Sequence, residues 1–336
     1  MITLKKIINP RSLAIMFFLS LLIAVTSCGS KHEHADDHEG EHDHAYACPM
    51  HPEVTGHEGD KCSKCGMNLE LVKKETDQHE YFMAFQDTPA VEAGKTANLS
   101  FTPKIKGLEN EMVPLDIQHG KKLHLIVVSK DLSYFDHIHP EFQSSGSYDI
   151  TVLPKDKDYS QGRFANETRF EKGGDYILFV DYLPTGASHQ LERIELNVAG
   201  TPYAPAKFTT EKTTGKTDGY DVSIVPDGGK FFSEGTMHIA GIIKKDGKEI
   251  PADQFENYLG AKAHVVVISE DTKDYLHVHP EVVAGRLDLH TSFGRPGIFR
   301  GWMQFQTNGQ VHTADFTIKV EEGKAPESAH GGDDAH

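Results

Sequence analysis

The chain has 336 residues, with 50 acidic against 34 basic side chains, a formal charge of −16 and a hydrophobic content of 38%. That length accommodates two or three domains, and the acidic excess argues against nucleic acid and anionic membrane surfaces as partners and in favour of cations. Twenty-one histidines against one tryptophan turn the same argument towards metal.

The chain opens with Lys5, Lys6 and Arg11, then an apolar run over 13–24, then Val25-Thr26-Ser27-Cys28. A basic start and a short apolar stretch with small residues behind it mark a secretory signal, too short and wrongly flanked for a retained span. The residues before Cys28 resemble a bacterial lipobox. Residues 1–28 are therefore expected to be a lipoprotein signal peptide, with Cys28 lipidated and the mature chain an extracytoplasmic lipoprotein. The anchor would be a lipid in the outer membrane, on its periplasmic face or at the cell surface. Residues 29–45 carry His32, His34, His38, His42 and His44 among acidic residues without apolar periodicity, the composition of a disordered tether with loose metal affinity.

Within 46–74, Cys48 and His51 form C-x-x-H and Cys62 and Cys65 form C-x-x-C, eleven residues apart. Two ligands from each of two tight turns can close tetrahedrally on one cation. Met50 and Met67 place thioethers beside the thiolates, a mixture that favours Cu(I) or Ag(I) beyond zinc. The runs Tyr46-Ala47-Cys48-Pro49-Met50-His51-Pro52-Glu53-Val54 and Cys62-Ser63-Lys64-Cys65-Gly66-Met67-Asn68-Leu69 closely resemble the small heavy-metal-binding domain of copper-transporting P-type ATPases and of membrane-fusion subunits of copper/silver efflux pumps. The resemblance implies metal handling in export or detoxification and makes an efflux system a candidate partner. A zinc ribbon that only supports the fold is the alternative.

Beyond residue 72 short β-rich runs alternate with Gly, Pro and Asp turns, and the sequence repeats. Laid over 247–281 at an offset of 140, the stretch 107–141 keeps Gly107, Gly120, Lys122, His124, Val127, Ser129, Asp131, His137, His139, Pro140 and Glu141. A second block matches at an offset of 123, pairing Tyr176 with Phe299 and His189 with His312, so the first copy is 17 residues longer, in the charged region 154–170. The expected fold is mainly β, a small metal-knuckle domain followed by two tandem immunoglobulin-like β-sandwich domains over 80–200 and 205–320, with a disordered tail over 321–336. The repeats also resemble YtkA-like secreted β-sandwich domains, which the resemblance places near copper proteins.

A hairpin turning at Lys130-Asp131 would set His124 across from His137, with His139 on the same face. The second copy would place His264, His277 and His279 likewise, and His189 and His312 are candidate fourth ligands. Imidazole clusters suit Cu(II), Zn(II) or Ni(II). His57, His79, His119, His238 and His290 read as surface or turn residues, and Tyr176, Phe179, Phe299 and Trp302 as core. Outside the His/acid-rich 29–45 segment the sequence lacks G-x-S-x-G, H-E-x-x-H and P-loop motifs, and neither sandwich contains the cysteine that blue copper requires; the expectation is a binder, not an enzyme. Copper is the expected cargo, as Cu(I) at the knuckle and Cu(II) or zinc at the histidines, with zinc throughout as the alternative. A surface-interaction or adhesion-type protein with only a structural metal site is the competing reading.

Overall fold

Strand Leu123–Ser129 is buried at every position, and so is its counterpart Ala263–Ser269. Each lies in a sheet covered on both faces, which is why Leu-His-Leu-Ile-Val-Val does not alternate. By contrast, Ala97–Ile105 alternates buried with accessible positions because only one face of its sheet meets a core. The computed structural model describes residues 46–48, 54–57, 59–64, 66–71, 79–153 and 167–326, all within one compact unit, Asp43–His336. The expected signal peptide, Cys28, the tether, Met50, His51, Cys65, most of the charged 154–170 region and the last ten residues of the tail lie outside the described residues.

Each repeat is a two-sheet sandwich. In the first, Tyr81–Thr88, Ala97–Ile105, Tyr148–Val152 and Glu167–Thr168 form one sheet, and Phe135–Ile138, Leu123–Ser129, Gly174–Tyr182 and Gln190–Val198 form the other. The second repeat has the same plan, with Ala263–Ser269 between Tyr275–Val278 and Gly297–Thr307. The inner faces meet in two separate cores, Leu99, Phe101, Leu125, Val127 and Leu178 in one, and Ile239, Val265, Val267, Met303 and Phe316 in the other. Among the described residues of the metal-knuckle region, Tyr46–Ala47 pairs with both Thr55–Gly56 and Glu70–Leu71.

The outer faces of the two doubly covered sheets meet each other. Ile126, Val128, Ile177 and Phe179 pack against Val266, Ile268, Tyr275 and Trp302 in a third apolar cluster. Its aromatics pair reciprocally: Phe135 stacks on Trp302 at 4.6 Å, and the equivalent Tyr275 stacks on Phe179 at 5.0 Å. Arg193 adds hydrogen bonds to the Thr272 carbonyl and hydroxyl at 3.1 and 3.0 Å. The expectation of core aromatics therefore divides. Tyr176 and Phe299 enter the sandwich cores, whereas Phe179 and Trp302 form the seam between repeats.

Two expectations need correction. The 123–138 hairpin pairs Ile126 with His137 and Leu125 with Ile138, which sets His124 level with His139. The loop is longer than a two-residue turn: Ser129 N–H donates to Tyr134 O at 3.2 Å and Leu132 is left-handed at φ 58°. Because the pairing moves by two residues, side-chain facing is unchanged, and the three histidines still share a face. The tail also begins later than residue 321. The last strand, Gln310–Lys324, runs on because Phe231–Glu234 pairs with it in parallel, Phe232 beside Glu321 and Glu234 beside Lys324.

The seam makes the first prediction. Phe179→Ala, at a site 2% exposed, should cost about 3–5 kcal/mol. The urea midpoint followed through emission of Trp302, the single tryptophan, measures it; an unchanged midpoint would remove the seam as a source of stability.

Candidate metal centres

At one end of the seam the apolar side chains give way to histidine. His124, His137 and His139 bring one nitrogen each to a common point, as do His264, His277 and His279. All but His279 are buried, and that one is nearly so. The repeated His-x-His-Pro holds two imidazoles on one face at the end of a short strand, and the second residue of the neighbouring long strand supplies the third.

Hydrogen bonds on the far side of each ring fix which nitrogens carry lone pairs. His124 donates from Nε2 to the Gln118 carbonyl at 2.9 Å, so its Nδ1 is an acceptor. His137 donates from Nδ1 to Gln304 Oε1 at 2.8 Å, so its Nε2 is an acceptor. Gln304 is oriented for this by donating its amide to Thr313 at 3.2 Å. Yet His124 Nδ1 lies 3.3 Å from His137 Nε2 and 3.2 Å from His139 Nε2. Two lone pairs do not bond each other; they need a shared cation.

The second triad repeats the arrangement. His264 donates to the Tyr258 carbonyl at 2.8 Å, and its Nδ1 lies 3.3 Å from His277 Nε2 and 2.9 Å from His279 Nε2. His279 Nδ1 is a buried polar atom without a partner. Nitrogens about 2.0–2.1 Å from a tetrahedral ion stand about 3.3 Å apart, against 3.2–3.3 Å in the first triad and 2.9–3.3 Å in the second. The residues fit a bound metal.

Burial and neighbouring imidazoles keep His124, His137, His139, His264 and His279 neutral. Burial pushes His124 down to about 4, and burial with adjacent imidazoles holds His137, His139, His264 and His279 well below the ordinary histidine value. Neutral imidazole is the form that ligates metal. The one carboxylate in the cluster, Asp181, is buried; against the desolvation that would raise its pKa, His189 and His277 hold it well below the usual range.

The triads are not independent. Rings face across the seam, His137 to His277 at 5.5 Å, His124 to His277 at 5.8 Å and His137 to His264 at 5.9 Å. Each repeat also backs the other's middle histidine. Gln304 of the second repeat holds His137, and its counterpart Asp181 of the first lies 3.6 Å from His277 Nδ1. Both break apolar strands, in Tyr-Ile-Leu-Phe-Val-Asp-Tyr and Trp-Met-Gln-Phe, at positions 123 apart. A polar residue in an otherwise apolar strand is the sequence signal for both.

Neither candidate fourth ligand joins its triad. Tyr182 pairs with Gln190 and Phe305 with His312, so the structural counterpart of His312 is Gln190, one residue from His189. A one-residue slip reverses the face. His312 points into the sandwich against Tyr220 and Phe305, bonded to Asp218 and Thr307, both at 2.8 Å. His189 lies behind Asp181, at 2.5 Å from its Oδ1, and so meets the second triad through that carboxylate.

Three of the histidines read as surface or turn residues belong to clusters. His119 lies over His279 with ring centroids 3.7 Å apart, and burial pushes it down to about 3. His238 and His290, paired across two strands with Asp288 beside them, form a third, half-buried group on the outer face of the second sandwich.

In the metal-knuckle region Cys48 and Cys62 are thiols, each 1% exposed, packed with Tyr46, Val54, Met67 and Leu69. Lys64 N–H donates to Cys62 Sγ at 3.3 Å and Gly66 N–H closes the turn on Cys62 O at 2.8 Å, with Gly66 left-handed at φ 74°. An amide aimed at sulfur favours thiolate, the ligating form. The structure thus places Cys48, Cys62 and Met67 together, while Met50, His51 and Cys65 lie outside the described residues.

Comparison with known proteins agrees with this division. Residues 45–72 match the family described as heavy metal binding domain. Residues 74–199 and 215–322 match a family described as domain of unknown function (DUF8832). A search of curated proteins returned no match. Among solved structures the chain is similar to a two-domain fibronectin type III segment of chicken tenascin, at 10% identity and TM-score 0.19 over 71% of this chain and 99% of that one. It is also similar to MtrC from Shewanella baltica, at 9% identity and TM-score 0.21 over 75% and 72%. A third is the titin Z1Z2 pair solved with telethonin, at 11% identity and TM-score 0.20 over 74% and 100%. With two repeats matched over most of its length, the chain belongs to the DUF8832 family, and it carries a heavy metal binding domain ahead of them.

Proposed function

We propose that this protein is a lipid-anchored, extracytoplasmic copper-binding protein that sequesters the metal or hands it to an efflux system, and that it is a binder and not an enzyme. The observation that carries the reading is the convergence of three imidazole nitrogens in each repeat, with two in the first triad and one in the second held as acceptors by a hydrogen bond on the far side of the ring. Thiol and thioether donors at the knuckle suit Cu(I), and all-imidazole triads suit Cu(II) or Zn(II). The apolar run before Cys28 supports the anchor, and the acidic chain supports cation capture from solution.

Metal titration of the mature chain, read by mass spectrometry, should give more than one ion per chain. His137→Ala with His139→Ala should remove the ion of the first triad and leave the knuckle loaded. One zinc per chain, indifferent to that change, would instead favour the adhesion-type reading. Asp181→Asn should weaken the second triad by about 10–100-fold, because a carboxylate behind a ligating imidazole raises its basicity, and leave the first unchanged.

The metal-free protein should lose stability on acidification. His124, His137, His139, His264 and His279 titrate lower when folded than the ordinary value of about 6.5, so the unfolded chain binds more protons below that pH. The melting temperature of metal-free protein should therefore fall from pH 7 towards His124's value of about 4. Metal should raise it at neutral pH.

A further inference from the structure

The metal-knuckle region and the second triad share a cleft of about 490 Å³. One wall comes from the knuckle, with Lys61 and Met67, and the other from the sandwiches, with Gln118, His119, His279 and Glu281. Lys61 is ion-paired with Glu281, two residues beyond His279, so the knuckle is tied down beside that ligand. Met67 has two neighbourhoods at once: it packs against Cys48 and Cys62 on one side and lines the cleft on the other. Across from it, His119 stacks on the triad ligand His279 at 3.7 Å and lies 6.3 Å from His277.

Resting on the reading of both centres as metal sites, we propose that this cleft is the internal passage by which a cation moves between the thiolate knuckle and the second triad, with Met67 and His119 as successive transient ligands. The donors run from thiol through thioether and half-buried imidazole to buried imidazole. Each offers a lone pair before the previous ligand is lost, so the ion crosses without full rehydration. The ion that crosses keeps its oxidation state, as Zn(II) does, which both thiolate and imidazole bind, because every step exchanges one ligand for another. The pseudo-symmetric position is informative: where the first repeat has His119, the second has Leu259, and both are left-handed at φ 47° and 50°. The backbone there accepts either side chain, and the one additional imidazole lies nearer the second triad, 3.7 Å from His279 against 6.1 Å from His124 of the first, with His279 sharing the cleft with the knuckle.

Co(II) tests the route, because thiolate-bound cobalt shows charge-transfer absorption that imidazole-bound cobalt lacks. Full mature chain is mixed with excess Co(II) and both signals are followed. Passage through the knuckle predicts a triad-filling phase that becomes independent of cobalt concentration, and His119→Leu should slow it about tenfold with the final number of ions unchanged. A filling rate that stays proportional to cobalt and is the same in His119→Leu would overturn the route. The Cys48→Ser, Cys62→Ser chain separates the two claims. If its triads still fill, the functional reading stands whatever the fate of the passage; triads that never fill in either chain would overturn both.

Discussion

Outward hydrogen bonds from the triad histidines determine what this molecule can hold, two in the first triad and one in the second. Imidazole has one proton to give when neutral, and His124 and His137 spend theirs outward, on Gln118 and Gln304. What remains inside is a pair of lone pairs 3.3 Å apart in a buried place, where an uncompensated polar group is costly. Protonation is one way to satisfy them, and burial opposes it. A metal ion is the other. The sandwiches, the seam and the reciprocal backing of His137 and His277 all serve to hold that arrangement.

The seam explains why the centre belongs to the pair of repeats and not to either alone. Ile126 and Val128 of one sandwich are buried only because Val266 and Ile268 of the other cover them, and the histidines continue that same face. Pulling the repeats apart would expose the apolar cluster and strip each middle histidine of its partner at once. The two halves are also unequal in charge. The first triad is backed by a neutral amide and the second by a carboxylate with a further histidine behind it, so duplication has produced two sites of the same shape and different electrostatics.

Much of this was legible in the residues. The offset of 140 identified the tandem sandwiches, and His124, His137 and His139 with His264, His277 and His279 identified the triads, because strand alternation puts them on one face under either hairpin register. What was not legible depended on tertiary placement. His189 and His312 align in sequence, but a one-residue difference in strand pairing sends them to opposite sides of the sheet. His119 looked like a turn residue and is one; only the packing of the second repeat brings His279 beneath it. Apolar runs in both repeats announced buried strands without saying that the second covered face belongs to the other repeat. The spacing of the knuckle motif marked a metal site, and the resemblance of its two runs to a heavy-metal-binding domain supplied the rest.

The most direct test of the central claim is anomalous diffraction at the copper edge from crystals of the copper-loaded chain. The account predicts a peak within bonding distance of His124 Nδ1, His137 Nε2 and His139 Nε2, and a second among His264 Nδ1, His277 Nε2 and His279 Nε2. Peaks confined to the cysteine knuckle, with both triads bare and their rings turned to bond one another or water, would contradict it.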